Sequence, residues 1–218
     1  HGLKHDSHAR RREWDEEMQQ FLTDRIKILA KAGDANRPLL WCGDLNVAKD
    51  YRDGTHWEKT SSGQVVEWWA DESKSLSAST KRDPNRSPEY RGIPSFTPIE
   101  RKRFRDLLEK AGLVDVWRHL HPDGVPDHPL PRWERPEWTW RGHLGMMARY
   151  QGKGQRLDYF LLSQHMVDKT ERCEILGYGT ERRGLFCGSD HCALRLVLKD
   201  PCEWGRESDS EAQAKRNE

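Results

Sequence analysis

Residues 156–163 read R-L-D-Y-F-L-L-S. An apolar run of this length, with aromatic and branched side chains, predicts a buried β-strand over Leu157–Leu162. The carboxylate of Asp158 lies inside that run, and a charge is costly to bury unless it is paired or binds a ligand. Asp158 is therefore a candidate functional residue, although a carboxylate there can equally cap a neighbouring backbone group.

Two further apolar runs carry polar residues at one end. Pro38–Cys42 predicts a buried strand that leads into a loop, and Ala193–Leu198 predicts a strand that follows G-S-D-H. Loops at strand ends are where binding and catalytic side chains are commonly assembled. The polar residues beside the three strands are Asp44, Asn46, Asp158, Asp190 and His191.

Two helices are predicted from apolar spacing and from their ends. Apolar residues recur every three or four positions over Arg11–Gly33, as in an amphipathic helix. A second helix begins at Thr97, because Pro98 suits the first turn and Glu100 completes a capping box. Helices and strands alternate irregularly, so we expect an α/β fold in which helices cover an antiparallel or mixed sheet.

The remaining segments give weaker signals. Leu113–Trp117 and Trp138–Trp140 are predicted to be extended. Residues 49–94 are poor in apolar side chains and predict a long excursion with a short helix near Val65–Trp69. We expect residues 1–200 to form one domain and residues 201–218 to be a disordered tail.

The composition excludes several classes of protein without identifying a partner. Charged residues make up 33% of the 218 residues, but the net charge is only +1, so there is no overall basic field. Two basic clusters, at 10–12 and at 101–105, are predicted to be solvated helix faces. No apolar run approaches the roughly 18 residues of a membrane span, so no membrane is expected.

The cysteines and the first residue bear on processing and compartment. The five cysteines are odd in number and lack C-x-x-C spacing, which favours reduced thiols over a disulfide framework. No signal peptide is visible, so we expect a nuclear or generally intracellular protein, with the mitochondrion as an alternative, and not a secreted one. Because the sequence begins at His1, we expect a fragment, a processed chain or a trimmed chain.

Each polar candidate has an ordinary structural explanation when it is taken alone. Asp44 can belong to a simple turn, and His191 can be a satisfied core histidine. Together, however, three carboxylates, an amide and an imidazole suit the hydrolysis of a phosphate ester. A carboxylate can bind a hard divalent cation, a second can orient or deprotonate water, and an imidazole can stabilise charge on the phosphoryl oxygens.

Four ordered motifs resemble the exonuclease III family of abasic-site DNA endonucleases. They are G-D-L-N-V-A at 43–48, S-F-T-P-I-E-R at 95–101, R-L-D-Y-F-L-L-S at 156–163 and G-S-D-H-C at 188–192. The resemblance covers residues 14–199 apart from the excursion at 49–94. Four motifs in the same order are far more specific than any one of them.

The resemblance implies a catalytic role for four residues. Asp44 would orient or activate the attacking water, and Asn46 would bond the scissile phosphate or help to place Asp44. Asp158 would pair with His191 and fix its orientation. His191 would then contact the phosphate in the transition state.

The resemblance also implies a magnesium site and a surface for DNA. Mg²⁺, with Mn²⁺ as an alternative, would be held by Asp190 together with Asp44, Asn46 and His191. Trp140 would wall the pocket for a sugar that lacks its base, with ordinary core packing as the alternative. Arg149 and Asn46 would complete the contacts with DNA.

Two positions and one large segment depart from the family's pattern. Gln155 stands where members that prefer abasic sites often carry Trp, and Met147 stands where a polar amide is typical. The family's first half has no counterpart here. The implied fold is therefore part of a four-layered, deoxyribonuclease-I-like α/β sandwich with its N-terminal sheet largely missing.

The expected function is Mg²⁺-dependent hydrolysis of DNA phosphodiesters at abasic sites in base excision repair. The partner would be double-stranded DNA with abasic sites, and 3′–5′ exonuclease or 3′-phosphodiesterase activity is a further expectation. Two alternatives stay open: another phosphodiesterase of the same superfamily, and an inactive fragment that retains a DNA-binding surface. The oligomeric state is not predicted.

Overall fold

The computed structural model describes residues 5–33, 37–55, 57–67, 90, 92, 95–129, 135–140, 154–177 and 189–199. The helices are α1 (His5–Lys31), α2 (Pro98–Lys110), α3 (Val116–Leu120) and α4 (Gln164–Val167). The strands are β1 (Leu40–Asp44), β2 (Trp57–Lys59), β3 (Val65–Glu67), β4 (Leu113–Asp115), β5 (Asp158–Ser163), β6 (Thr170–Ile175) and β7 (Leu194–Leu198). No helix within these ranges is both long and apolar enough to cross a bilayer.

An antiparallel three-stranded sheet with the order β1-β5-β4 forms the centre of the fold. Two antiparallel pairs, β2-β3 and β6-β7, stand beside it. The ladder between β1 and β5 sets Asp44 opposite Asp158. Helices with antiparallel strands confirm the expected α/β class, and the register brings two predicted carboxylates to one end of the sheet.

The central strand β5 is buried on both faces. Tyr159 and Leu161 pack into an apolar cluster with side chains of α1 and α2. Phe160 and Leu162 point the other way, into a cluster with α3, β6 and β7. Because successive side chains of a strand alternate between faces, burial on both sides requires the continuous apolar run that the sequence shows.

The two helix predictions are confirmed. α1 covers Arg11 to Lys31 and begins earlier, at His5. At α2 the hydroxyl of Thr97 accepts from the Glu100 amide, and the Glu100 carboxylate accepts from the Thr97 amide. The capping box therefore forms as the sequence pattern predicts.

The prediction that Pro38–Cys42 is a buried strand is wrong in one respect. β1 forms, but most of its residues are exposed, including Leu40 at 39%. Among the described residues β1 pairs only with β5 and is an edge strand. An apolar run reports which side chains avoid water, but it does not report how many neighbours a strand has.

Other predictions of local structure also need correction. Val65–Glu67 is a strand of a hairpin and not the start of a short helix. Trp117 lies in α3, so only the first part of Leu113–Trp117 is extended. In Trp138–Trp140 only isolated bridges at Trp140 form, and β6 was not predicted. Short elements depend on tertiary contacts more than on local preference, which explains these misses.

A buried ionic cluster ties the base of the excursion to the sheet. Arg156, which is fully buried, donates to Asp53 at 3.0 Å and to Asp115 at 2.6 Å. Arg118 donates to the same Asp53 carboxylate. Burial works to raise the pKa of Asp53, but Arg156 and Arg118 outweigh it and hold that pKa below its ordinary value. Residues near 53 are therefore part of the interior, although the sequence suggested a solvated excursion.

Candidate active site

The loop after β1 is built around the Asp44 carboxylate. One carboxylate oxygen accepts from the Asn46 backbone amide and the other from the Asn46 side-chain amide, both at 2.9 Å. Asn46 has a φ of 48°, in the left-handed region that Asn tolerates better than most residues. The short side chain of Asn46 thus closes the turn and holds Asp44 at the tip of the strand.

Helix α1 supports this loop through Arg11. The Arg11 guanidinium donates to the carbonyls of Leu45 at 2.6 Å and Asn46 at 3.3 Å. Asp15, one turn later, accepts from Arg11 and from Arg103 of α2, each at 2.8 Å. The prediction of solvated basic faces is therefore wrong for Arg11 and Arg103, since both guanidinium groups are engaged in these contacts.

A second basic side chain of α2 also turns inward. Arg101 is buried, and its guanidinium donates to the Phe96 carbonyl at 2.8 Å. Arg12 and Lys102, in contrast, are exposed as predicted. Local charge density therefore does not distinguish a solvated arginine from one that holds the fold together.

Asp158 and His191 form a hydrogen-bonded pair beside Asp44. The Nδ1 atom of His191 lies 2.8 Å from a carboxylate oxygen of Asp158. The Nε2 atom lies 4.0 Å from a carboxylate oxygen of Asp44. With Nδ1 engaged by Asp158, Nε2 is the nitrogen that faces Asp44.

The electrostatics of the pair favour a charged imidazole. The hydrogen bond with Asp158 raises the pKa of His191, burial opposes this, and the negative charges of Asp158, Asp44 and Asp190 add to the rise. The pKa of Asp44 is also raised, first by burial and further by repulsion from Asp158. A carboxylate with a raised pKa is a better proton acceptor than an ordinary one.

The segment Thr139–Trp140 lies between the strands that carry the site. The Trp140 backbone forms bridges to Gln155 and to His191, and its indole donates to Asp190 at 3.1 Å. Trp140 also packs against a small apolar cluster that contains Leu157. The structure thus shows which protein groups Trp140 contacts. Contact between Trp140 and DNA stays a prediction.

The described residues contain one group suited to hold a metal ion. Asp44, Asp158 and His191 each offer a ligand atom, and these atoms lie within 4.8 Å of one another. Carboxylate oxygens fit a hard divalent cation such as Mg²⁺, whereas an imidazole is a less typical ligand for it. Asp190 is not in this group; one of its oxygens accepts from the Trp140 indole.

Four residues predicted as catalytic or metal-binding come together directly, namely Asp44, Asn46, Asp158 and His191. Asp190 is joined to them through its hydrogen bond with Trp140. Arg149 and Met147 lie outside the described residues. Gln155 is buried at 3% exposure and belongs to the interior beneath Trp140. Sequence reasoning missed Arg11 and Thr139, because nothing in their local pattern separates them from ordinary helix and loop residues.

Comparisons with known proteins agree on a family. The profile of the Endonuclease/Exonuclease/phosphatase family matches residues 5–191. A DNA-(apurinic or apyrimidinic site) endonuclease of Arabidopsis thaliana is 34% identical over 202 residues, which cover 92% of this chain and 46% of that protein. A protein of the same name from Plasmodium falciparum is 28% identical, over 91% of this chain and 29% of that protein.

A solved structure shares the fold. The 3′-5′ exonuclease from Neisseria meningitidis superposes with a TM-score of 0.52 and 20% identity, over 87% of this chain and 53% of that chain. At that identity the similarity concerns the fold alone. The chain spans about half the length, or less, of the curated relatives described above.

Proposed function

Because the chain belongs to the Endonuclease/Exonuclease/phosphatase family, we propose that it supplies catalytic side chains for metal-dependent hydrolysis of DNA phosphodiesters at abasic sites. One observation carries the proposal: Asp44, Asp158 and His191 converge at one end of the sheet. Relatives named for abasic-site endonuclease activity support the choice of DNA as substrate. Trimming of 3′ ends is a finer part of the same proposal.

Asp44 is proposed to orient and deprotonate the attacking water. Its raised pKa makes it a stronger base than an ordinary aspartate, and Asn46 holds both of its oxygens through hydrogen bonds. The side-chain amide nitrogen of Asn46 donates to the Asp44 carboxylate. The main proposed role of Asn46 is therefore to position that carboxylate.

His191 is proposed to stabilise the phosphoryl group. The Asp158 carboxylate accepts a hydrogen bond from Nδ1–H and favours the protonated ring, so Nε2–H can donate to a phosphoryl oxygen as negative charge develops there. The imidazole does not need to move, because the ring is held by Asp158 before substrate binds. Such preorganised donors are among the largest contributions to catalysis.

The metal is proposed to be Mg²⁺, with Mn²⁺ as a substitute. Asp44 and Asp190 would hold it through carboxylate oxygens with Asn46 beside them, and His191 would join them only as a neutral ring, because an imidazolium has no free lone pair. When bound, a divalent cation neutralises charge on the phosphate and polarises it toward attack. Trp140 and Arg149 are proposed to contact the DNA beside the lesion.

The test is incision of a labelled duplex that carries one abasic site, with Mg²⁺ and with EDTA, beside an undamaged duplex. We expect metal-dependent nicking at the lesion. His191→Ala should lower kcat by about 100-fold to 1,000-fold, the range for loss of one donor to a developing oxyanion. His165→Ala, at an exposed position of α4, is the matched control and should cleave at the wild-type rate.

The outcomes separate the proposal from its alternatives. Full activity of His191→Ala in a clean preparation contradicts the assigned site. Preferred cleavage of RNA or of small phosphoesters over abasic DNA indicates another phosphodiesterase of the superfamily. If the chain binds DNA in a salt-sensitive manner but does not cleave it, the chain retains only a binding surface. The match to only about half of the relative's length is the reason to test this alternative.

A further inference from the structure

Thr139 is a buried threonine whose hydroxyl is committed to the backbone of β5. The side chain is fully buried, at 0% exposure. Its Oγ1 atom accepts from the amide of Leu157 at 2.8 Å and from the amide of Asp158 at 3.0 Å. Two consecutive amides at the entry to the strand thus converge on one oxygen atom.

The same residue is bonded to the segment that carries His191. The Thr139 carbonyl accepts from the Cys192 amide at 2.6 Å. The next residue, Trp140, exchanges backbone hydrogen bonds with Gln155 at 2.8 and 2.9 Å. One dipeptide therefore bridges the chain before Asp158 and the chain after His191, although these two residues are 33 positions apart.

We propose that Thr139 is a positioning residue that sets the register between Asp158 and His191. The Thr139 hydroxyl holds the backbone amides of Leu157 and Asp158 at the start of β5. The Thr139 carbonyl holds the backbone amide of Cys192, the residue after His191. The 2.8 Å contact between the two catalytic side chains depends on both. This role deepens the proposed function and rests on it, since positioning matters for catalysis only if the pair acts in hydrolysis.

The alternative is that Thr139 merely fills space. Packing alone does not require a hydroxyl at this position, because valine has nearly the same shape as threonine. The hydroxyl of Thr139 also accepts hydrogen bonds from two backbone amides. Removing the hydroxyl leaves two buried donors without an acceptor, which forces the start of β5 to shift. The backbone hydrogen bonds that hold Trp140, a proposed DNA contact, do not involve this hydroxyl, so kcat should change and KM should not.

The experiment compares Thr139→Val, which keeps the shape, with Thr139→Ser, which keeps the hydroxyl. We expect Thr139→Val to lower kcat on an abasic duplex by about 10-fold to 100-fold with KM unchanged, as for other partners that orient catalytic groups. Thr139→Ser should stay close to wild type. The matched control is Thr170→Val, because Thr170 is equally buried but its hydroxyl has no partner among the described residues.

Hydrogen exchange of backbone amides tests the contacts of Thr139 independently of activity. Exchange of the Leu157 and Asp158 amide protons should speed up in Thr139→Val and not in Thr139→Ser. The Cys192 amide, whose acceptor is a carbonyl, is the internal reference. If Thr139→Val does not fold, Thr139→Ala and Thr139→Ser replace it, since these two differ by a hydroxyl alone.

Each outcome decides the proposal. Wild-type kcat in Thr139→Val, or equal losses in the valine and serine variants, overturns the role of the hydroxyl. If the wild-type chain cleaves no abasic duplex, the proposed function fails instead, and the amide exchange then decides the positioning role. Unchanged exchange of the Leu157 and Asp158 amides in the valine variant would overturn it in that case.

Discussion

Asp158 controls the charge of His191 through one hydrogen bond. That bond is the first cause of the raised pKa of His191, and the charges of Asp158, Asp44 and Asp190 add to it. The raised pKa means that the imidazolium persists to higher pH than in a free histidine. In the proposed mechanism Asp44 must lose its proton to act as a base, so the proposed reaction needs Asp44 deprotonated and His191 protonated.

Activity should therefore fall at both ends of the pH range. Asp158→Asn removes the charge that raises the His191 pKa, so the alkaline limb of the kcat/KM profile should move to lower pH. The measurement is the pH profile at saturating Mg²⁺ for the wild type and the variant. Asp168→Asn, at an exposed position, is the control, and an alkaline limb that does not move in Asp158→Asn would contradict this account.

At the scale of elements, helix α1 supports the loop that follows Asp44. α1 is 27 residues long, and its apolar residues such as Leu22 pack against α2 and the sheet. Among the side chains of this helix that the structure describes, Arg11 alone donates to the carbonyls of Leu45 and Asn46. The apolar face of the helix therefore packs it against the fold. One polar side chain, that of Arg11, connects the helix to the loop after Asp44.

Arg11→Ala should separate catalysis from stability. We expect kcat to fall about 10-fold, because the loop that carries Asp44 loses a support, with little change in the temperature of unfolding. Incision kinetics and thermal unfolding measure the two effects. Arg12→Ala, at an adjacent position that is 54% exposed, should alter neither, and equal effects of the two substitutions would argue against a specific role for Arg11.

At the scale of the whole molecule, the buried ionic cluster joins segments that are far apart in the chain. Asp53 belongs to the excursion, Arg118 to α3 and Arg156 to the approach to β5. Asp115 completes the cluster from β4. Loss of one member leaves a buried charge without its partner. The resulting loss of stability is larger than the stability that the ion pair contributed.

Asp53→Asn should lower the free energy of unfolding by about 3–5 kcal/mol, measured by urea denaturation at neutral pH. Since the pKa of Asp53 is depressed, its contribution is present above the ordinary aspartate pKa of about 3.9 and is lost as pH falls toward the folded-state pKa. The difference between wild type and variant should shrink in acid. Asp123→Asn, at an exposed position, should be neutral at both pH values.

Features that depend on neighbours in the chain could be read from the amino-acid sequence. The capping box of Thr97 and Glu100, the apolar spacing of α1 and the apolar run of β5 are local patterns, and each predicts the element that forms. The motif residues could be chosen for the same reason, since each polar side chain interrupts or ends an apolar run. Their resemblance to a nuclease family added the chemistry of the group as a testable expectation.

Features that depend on distant contacts could not be read in this way. The contact between Arg11 and Leu45 spans 34 positions, and the Asp158–His191 pair, which only the family resemblance implied, spans 33. The burial of Asp53 and the exposure of β1 likewise follow from what lies beside them in space. Spacing along the chain carries no information about these distances, because they arise only when the sheet and its helices pack together.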